Sequence, residues 1–342
     1  MSEIGLVEET TIRTIAGGLT AEVIESAERG VWPEALWQRL VEQGLTQPAS
    51  IAGEDNPAEG LEIEAAVVRA AATTATPLPV AETAIGAWSL RRHGIEVPAS
   101  GALSLSTFSE GDRLTYRGKT SGVLQRVPWG RNASAIVAIA GGVMILLDAG
   151  SAQVTPGTNV AGEPRDTLRF ESATPLAVGA RADADLMLAR CAATRAVQLA
   201  AAAARSLALT VEYATQRQQF GRPIGNFQAI QHQLAVAASE VASAEVGARQ
   251  AYLAFAVGKD ERLAAAIAKA RANEAAGAVA RVAQQVHGAI GYTREYHLQR
   301  FTRRIQSWRG EFGATAFWLQ RIGELILAQS DRSLWSILTD GV

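Results

Sequence analysis

The sequence predicts an α+β fold of 342 residues: an N-terminal helical domain (1–97), a small middle β-sheet domain (98–178) and a C-terminal four-helix bundle (179–342). Three observations predict it. Residues 1–97 read as helices punctuated by Trp32-Pro33, Gln47-Pro48, Asn56-Pro57 and Pro77-Leu78-Pro79, and proline belongs at helix starts rather than interiors. Residues 98–178 switch to short β-type runs separated by Gly, Asp and Ser. From 179 onward the chain is Ala-rich and Arg-studded, with helical periodicity over long stretches.

Taken in order, Ala81–His93 reads as a helix with Gly94 as its C-terminal stop. Strands are expected at Ala102–Phe108, Leu114–Arg117, Ala135–Ile139, Val143–Leu147 and Thr167–Phe170. The longest apolar run, Ile136 to Leu147, is split by Gly141-Gly142 and reads as strand, turn, strand. Four bundle helices are expected at about 181–214, 227–257, 261–287 and 310–330. In the second of these, Ile230, Leu234, Ala237, Val241, Ala244, Ala248, Ala251 and Phe255 alternate spacings of four and three, which lays one apolar stripe along a helix.

Composition bounds the function. Hydrophobic residues make up 48% and charged residues 19%, the balance of an ordinary globular protein. The one cysteine, Cys191, excludes an internal disulfide framework and suits a reducing cytoplasm. The N-terminus carries early acids and does not read as a secretory signal, and no run of about 18 uncharged apolar residues suggests a membrane span. Residues 1–180 are net −8 and residues 181–342 net +6, with Arg supplying nearly all of the latter's cations. An Arg-dominated half suits bidentate contact with phosphate or carboxylate, although a solvated helical surface accounts for the same charge. Without a Lys/Arg run interleaved with aromatics, nucleic acid is a poor candidate. The four histidines form no ligand spacing, so metal binding has no support; His287 reads as a packing or loop hydrogen-bonding residue and Cys191 as a small core residue.

Two segments carry chemistry. In Tyr213-Ala214-Thr215-Gln216-Arg217-Gln218-Gln219-Phe220-Gly221-Arg222-Pro223-Ile224, followed by Asn226-Phe227-Gln228-Ala229-Ile230-Gln231, a helix ends, glycines allow a turn and a second helix starts. Arg217 and Gln219 place donors beside the flat face of Phe220, a pairing suited to a phosphate next to a ring; the alternative is a capped turn with Phe220 plugging the core. In Gln284-Gln285-Val286-His287-Gly288-Ala289-Ile290-Gly291-Tyr292, Gly288 and Gly291 end a helix and expose backbone N–H groups that can meet an anion.

Both segments resemble the acyl-CoA dehydrogenases, whose signatures are an Arg-x-x-Phe-Gly turn with Pro-Ile and Phe-Gln-x-Ile-Gln, and a Gln-x-x-Gly-Gly-x-Gly-Tyr turn. The resemblance implies that Arg217, Gln219, Phe220, Gln228, Gln285 and Gly288 embrace the FAD of a partner subunit. Ala289 departs from the second glycine, and Arg303-Arg304 from the usual Arg-Asp. The family removes a substrate proton with a carboxylate, and aligned from the glycine turn that position holds Arg309; Glu311, two residues on, is the outside candidate. The family's other base position, thirty residues before Gly221, holds Cys191, flanked by Arg190 and Ala192. Arginine does not act as a base near neutral pH.

The β zone also departs from the family's flavin-lining strands: Leu103–Thr107 runs into Glu110-Gly111-Asp112 with no Glu-Pro, and Gly118-Lys119-Thr120 leads to Val127-Pro128-Trp129, where Trp129 reads as packing in a turn. These losses resemble the small, base-lacking subunit of actinobacterial heteromeric, steroid-type acyl-CoA dehydrogenases. The resemblance implies an α2β2 heterotetramer with a family partner, FAD shared between subunits, an acyl-CoA substrate, and neither nucleic acid nor membrane. A stand-alone dehydrogenase with Glu311 as relocated base, and a flavin-free assembly scaffold, are the competing readings.

Overall fold

The computed structural model describes residues 2–51, 56–106, 111–329, 333, 335 and 336. The chain divides into two compact units, Met1–Cys191 and Ala192–Val342.

The first unit opens with five helices: α1 (Glu3–Ala16), α2 (Ala21–Glu28), α3 (Glu34–Glu42), α4 (Pro57–Thr73) and α5 (Val80–Arg92). The prolines fall where chain chemistry puts them. Pro33 is the N-cap of α3, Pro48 opens a 3-10 turn, Pro57 is the first residue of α4 and Pro79 immediately precedes α5. Ser2 and Thr20 cap α1 and α2 through their hydroxyls. Ile15, Leu36, Trp37, Leu40, Val67 and Leu78 form the core of this helical cluster.

Two four-stranded sheets follow. The first contains β1 (Leu103–Leu105), β4 (Ala135–Ala140), β5 (Val143–Asp148) and β8 (Ala177–Arg181), in the order β1-β4-β5-β8. The second contains β2 (Arg113–Tyr116), β3 (Thr120–Pro128), β6 (Gln153–Thr155) and β7 (Arg165–Ala173), in the order β2-β3-β7-β6. Ala140 faces Val143 across the Gly141–Gly142 turn, so the split apolar run is the expected hairpin. The strand expected at Ala102–Phe108 is observed at Leu103–Leu105; Thr107, Phe108 and Glu110 lie outside the described residues.

The longest strand besides β7, β3, has no counterpart among the expected strands. Its sequence, Thr-Ser-Gly-Val-Leu-Gln-Arg-Val-Pro, lacks clean alternation because the pairing with β7 shifts register twice and Arg126 adopts φ +53°. Trp129 does pack in a turn, at φ 55°, buried and edge-on to Trp32 at 6.3 Å.

The long helix α6 (Ala184–Gln216) leads into the second unit. There β9 (Gln218–Gln219) and β10 (Arg222–Pro223) form a minimal hairpin, followed by α7 (Gln228–Val257), α8 (Glu261–His287), α9 (Leu298–Trp308) and α10 (Thr315–Leu327). On α7 the expected stripe is the buried face from Ala237 to Phe255, with Ile230 and Leu234 half-buried. The last helix is shorter than the expected 310–330, and α9 is an additional one. Its burial of Leu298, Phe301, Thr302, Ile305 and Trp308 follows a helical spacing that the sequence already displays. No described helix is long and apolar enough to cross a membrane.

Candidate functional site

The first motif forms a tight two-stranded turn at the end of α6. Arg217 N–H closes the helix onto the Tyr213 carbonyl (2.8 Å), and Ile224 N–H returns to the Arg217 carbonyl (2.8 Å). Arg222 pairs with Gln219 and Pro223 with Gln218, leaving Phe220 (φ 52°) and Gly221 (φ 80°) as the two turn residues. Two consecutive left-handed residues match the twist of a two-residue hairpin, which glycine adopts freely and phenylalanine at a cost.

Phe220 is 91% exposed. The core-plug alternative is therefore wrong: the turn's geometry forces the ring outward. It meets only the edge of Phe227 at 6.1 Å, and the Arg222 guanidinium lies 4.3 Å from the Phe227 centroid. Arg217, Gln219 and Gln228 are exposed, and among the described residues their side chains have no hydrogen-bond or ion-pair partner. This surface presents a guanidinium, two amides and an aromatic ring, the last touching Phe227 by its edge.

The second motif closes α8. Gly288 takes φ 63° after His287 and leads into a 3-10 turn to Tyr292; Gln285 and Gly288 are exposed. His287 is buried, and its Nδ1 lies 2.8 Å from the Ala283 carbonyl. A carbonyl only accepts, so Nδ1 carries the proton. Burial lowers the imidazole pKa, the Ala283 bond opposing it, and the ring stacks on Tyr213 and meets Tyr296 at a tilt, the two tyrosines touching edge-on. The packing role expected of His287 is the one its surroundings support, and it ties the two motifs together at the helix ends. Tyr213 and Tyr296 were not singled out as its partners, because only the packing of α6 against α8 brings the rings together.

Around position 309 the structure is a buried basic knot. The Lys269 ammonium, on α8, donates to Asn273 Oδ1 (2.6 Å) and to the carbonyls of Trp308 (3.2 Å), Arg309 (3.3 Å) and Gly313 (3.1 Å). Burial pushes its pKa well below 10.5; Arg195 and Arg309 act in the same direction and Glu311 opposes them. Arg309 Nε donates to the Asn273 carbonyl (2.7 Å), with the guanidinium lying across Gly277. Glu311 is ion-paired with Arg195 at 3.0 Å, and the Arg195 guanidinium packs over the Trp308 and Phe312 rings. Glu311, the outside candidate for a base, is thus committed to an ion pair with Arg195. Lys269 has a readable signal, as one of two lysines after residue 180 and set among alanines on its helix; Arg195, one of many arginines there, has none.

At the other expected base position, Cys191 is fully buried. Its neighbour Arg190 is ion-paired with Glu64 of α4, both buried, and lies 5.2 Å from the Trp88 ring centroid. Among the described residues no His/Cys/Asp/Glu group has metal-binding geometry.

Residues 181–327 match the family described as acyl-CoA dehydrogenase, C-terminal domain. The chain is 30% identical over 303 residues to acyl-CoA dehydrogenase IpdE2 of Mycolicibacterium smegmatis, covering 87% of this chain and 91% of that protein. It is 29% identical over 301 residues to acyl-CoA dehydrogenase FadE34 of Mycobacterium tuberculosis, covering 85% of this chain and 41% of that one. Among solved structures, the Tcur3481-Tcur3483 steroid ACAD G363A variant superposes with TM-score 0.87 at 24% identity, covering 96% of this chain and 99% of that one. The ChsE4-ChsE5 complex from Mycobacterium tuberculosis superposes with TM-score 0.84 at 22% identity, covering 96% and 98%. At these identities the two superpositions establish the fold.

Proposed function

The chain belongs to the acyl-CoA dehydrogenase family, and from that premise we propose that it is a non-catalytic subunit of a heteromeric, FAD-dependent acyl-CoA dehydrogenase. In this reading it completes the flavin site of a family partner in an α2β2 assembly in the cytoplasm. The substrate class is a bulky, steroid-type acyl-CoA, in keeping with the structural neighbours whose names specify steroid or a two-component complex.

The observation that carries this reading is an asymmetry. Donors suited to a partner's cofactor stand exposed and uncommitted, whereas the chain's own base positions hold Arg309, bonded to the Asn273 carbonyl, and the buried Cys191, and Glu311 is ion-paired with Arg195. The exposed set fits an anionic dinucleotide. Arg217 offers a planar fork for phosphate oxygens, Gln219, Gln228 and Gln285 offer amides, Gly288 offers accessible backbone, and Phe220 offers a ring face. Flavin, when bound, supplies the hydride acceptor for α,β-desaturation of the thioester. This chain's residues hold and orient it, and the partner supplies the proton acceptor.

The test is co-expression with a family member that carries an intact glutamate at the base position, followed by native mass and flavin content. The expected result is a mixed assembly that retains FAD and desaturates acyl-CoA, while this chain alone does neither. Turnover by the purified chain alone, within the usual enzyme range of about 1 to 1,000 per second, would overturn the proposal. Absence of flavin with every family partner would favour the scaffold reading instead.

A further inference from the structure

The first unit contains a cavity unrelated to either motif. It measures about 440 Å³ and lies between the Gly17–Gly18 turn, α2 and the first turns of α3, within the range of small-molecule sites. Its walls include Val23, Val31, Trp32 and Leu36. Trp32 is fixed in place: its ring meets Trp37 at 5.6 Å and Trp129 at 6.3 Å, and its indole N–H donates to Glu34 Oε2 (2.6 Å). The aromatic wall is therefore built before any ligand arrives.

One cation lines this space. The Arg39 guanidinium lies across the Gly17–Gly18 turn, so close that a Cβ at Gly17 would sit 2.6 Å from Nη1. Among the described residues Arg39 has no ion-pair or hydrogen-bond partner for its side chain. The two acids at the site differ. Both are exposed, as is Arg39, but Glu34 is engaged by Trp32 and by the Gln38 amide (2.6 Å), whereas Glu22 stands in the first turn of α2. With one available cation against two carboxylates, the site disfavours polyanions such as phosphate esters. A guanidinium fork beside apolar and aromatic walls instead matches a single carboxylate carried on an apolar body. The helix α2 contributes no buried residue, so little apolar burial holds it in place over the space it lines.

We propose that this cavity is a binding site for an apolar monocarboxylic acid, with Arg39 taking the carboxylate, Trp32, Val31 and Leu36 taking the body, and α2 closing over it. The proposal is independent of flavin binding and of any partner. Its test uses the full-length chain, with octanoate as probe and octanol as the uncharged control, by isothermal titration calorimetry. Saturable octanoate binding is expected, weakened about ten- to a hundred-fold in Arg39→Gln, with octanol binding unaffected. Val31→Trp, which narrows the space and leaves Arg39 in place, is expected to weaken binding of both. Hydrogen exchange should show added protection over residues 21–28 on octanoate addition. Absence of saturable octanoate binding, or binding by Arg39→Gln equal to wild type with circular dichroism unchanged, would overturn the assignment.

Discussion

Tyr213 and His287 stack at 4.4 Å with their planes 23° apart, joining the end of α6 to the end of α8. One partner precedes the Arg217 hairpin and the other precedes the Gly288 turn, so this contact sets the spacing between the two motifs proposed to hold flavin.

His287 makes stability depend on pH. Burial against Tyr213 and Tyr296 lowers its folded pKa from 6.5, and burial together with Arg300 and Arg205 does the same to His297. An unfolded chain binds these protons first, so stability is full above about pH 6.5 and falls as pH drops through that value. Thermal midpoints over a pH series are expected to show this slope, and His287→Phe is expected to flatten it while keeping a ring in the stack. A slope unchanged in His287→Phe would mean that other groups set it.

Glu311 separates the proposed function from a relocated base. Its carboxylate neutralises Arg195, which is 2% exposed. Glu311→Gln is expected to destabilise the chain by about 3–5 kcal/mol, the usual cost of stranding one member of a buried pair. Turnover by the assembled complex should stay within about twofold per folded molecule. A loss of about 10²- to 10⁴-fold, the scale of general-base removal, would identify Glu311 as the base.

Lys269 holds the turn that follows α9. Lys269→Met removes the donor from three carbonyls and Asn273 Oδ1. With each stranded group costing about 1–3 kcal/mol, urea denaturation is expected to show one of the largest single-site losses in the second unit. Faster hydrogen exchange over 308–313 should accompany it. A change below about 0.5 kcal/mol, typical of a surface position, would show that the carbonyls find other donors.

Arg217 and Phe220 test the hairpin. Arg217→Ala in the reconstituted complex is expected to weaken flavin retention about ten- to a hundred-fold, the worth of a charge-assisted hydrogen bond. Arg217→Lys should recover only part of that, because an ammonium lacks the planar fork. Phe220 is almost wholly exposed, so Phe220→Ala should reduce flavin retention without lowering the stability of the isolated chain. Flavin dissociation rates, with circular dichroism as folding control, decide both.

What the sequence determined by itself is local. Pro77-Leu78-Pro79 and Gly94 bracketed α5, the four-three alternation placed the buried face of α7, and Gly221 allowed a turn between two long helices. The expectation that Arg309 stands where the family has an acid is likewise local, because it needs only a register carried a short way from the glycine turn. Each of these signals is written within a few residues of the element it specifies.

Tertiary structure decided what depends on which elements pack together. It placed β3 between β2 and β7 despite its irregular pattern, because ladder pairing on both edges outweighs weak alternation. It set Arg195 of α6 against Glu311, and gathered the carbonyls of Trp308, Arg309 and Gly313 on the Lys269 ammonium of α8. Partners so far apart in sequence leave no periodic trace. A charge buried away from water must find its counterpart wherever the packed helices bring one, and that choice is made only when they meet.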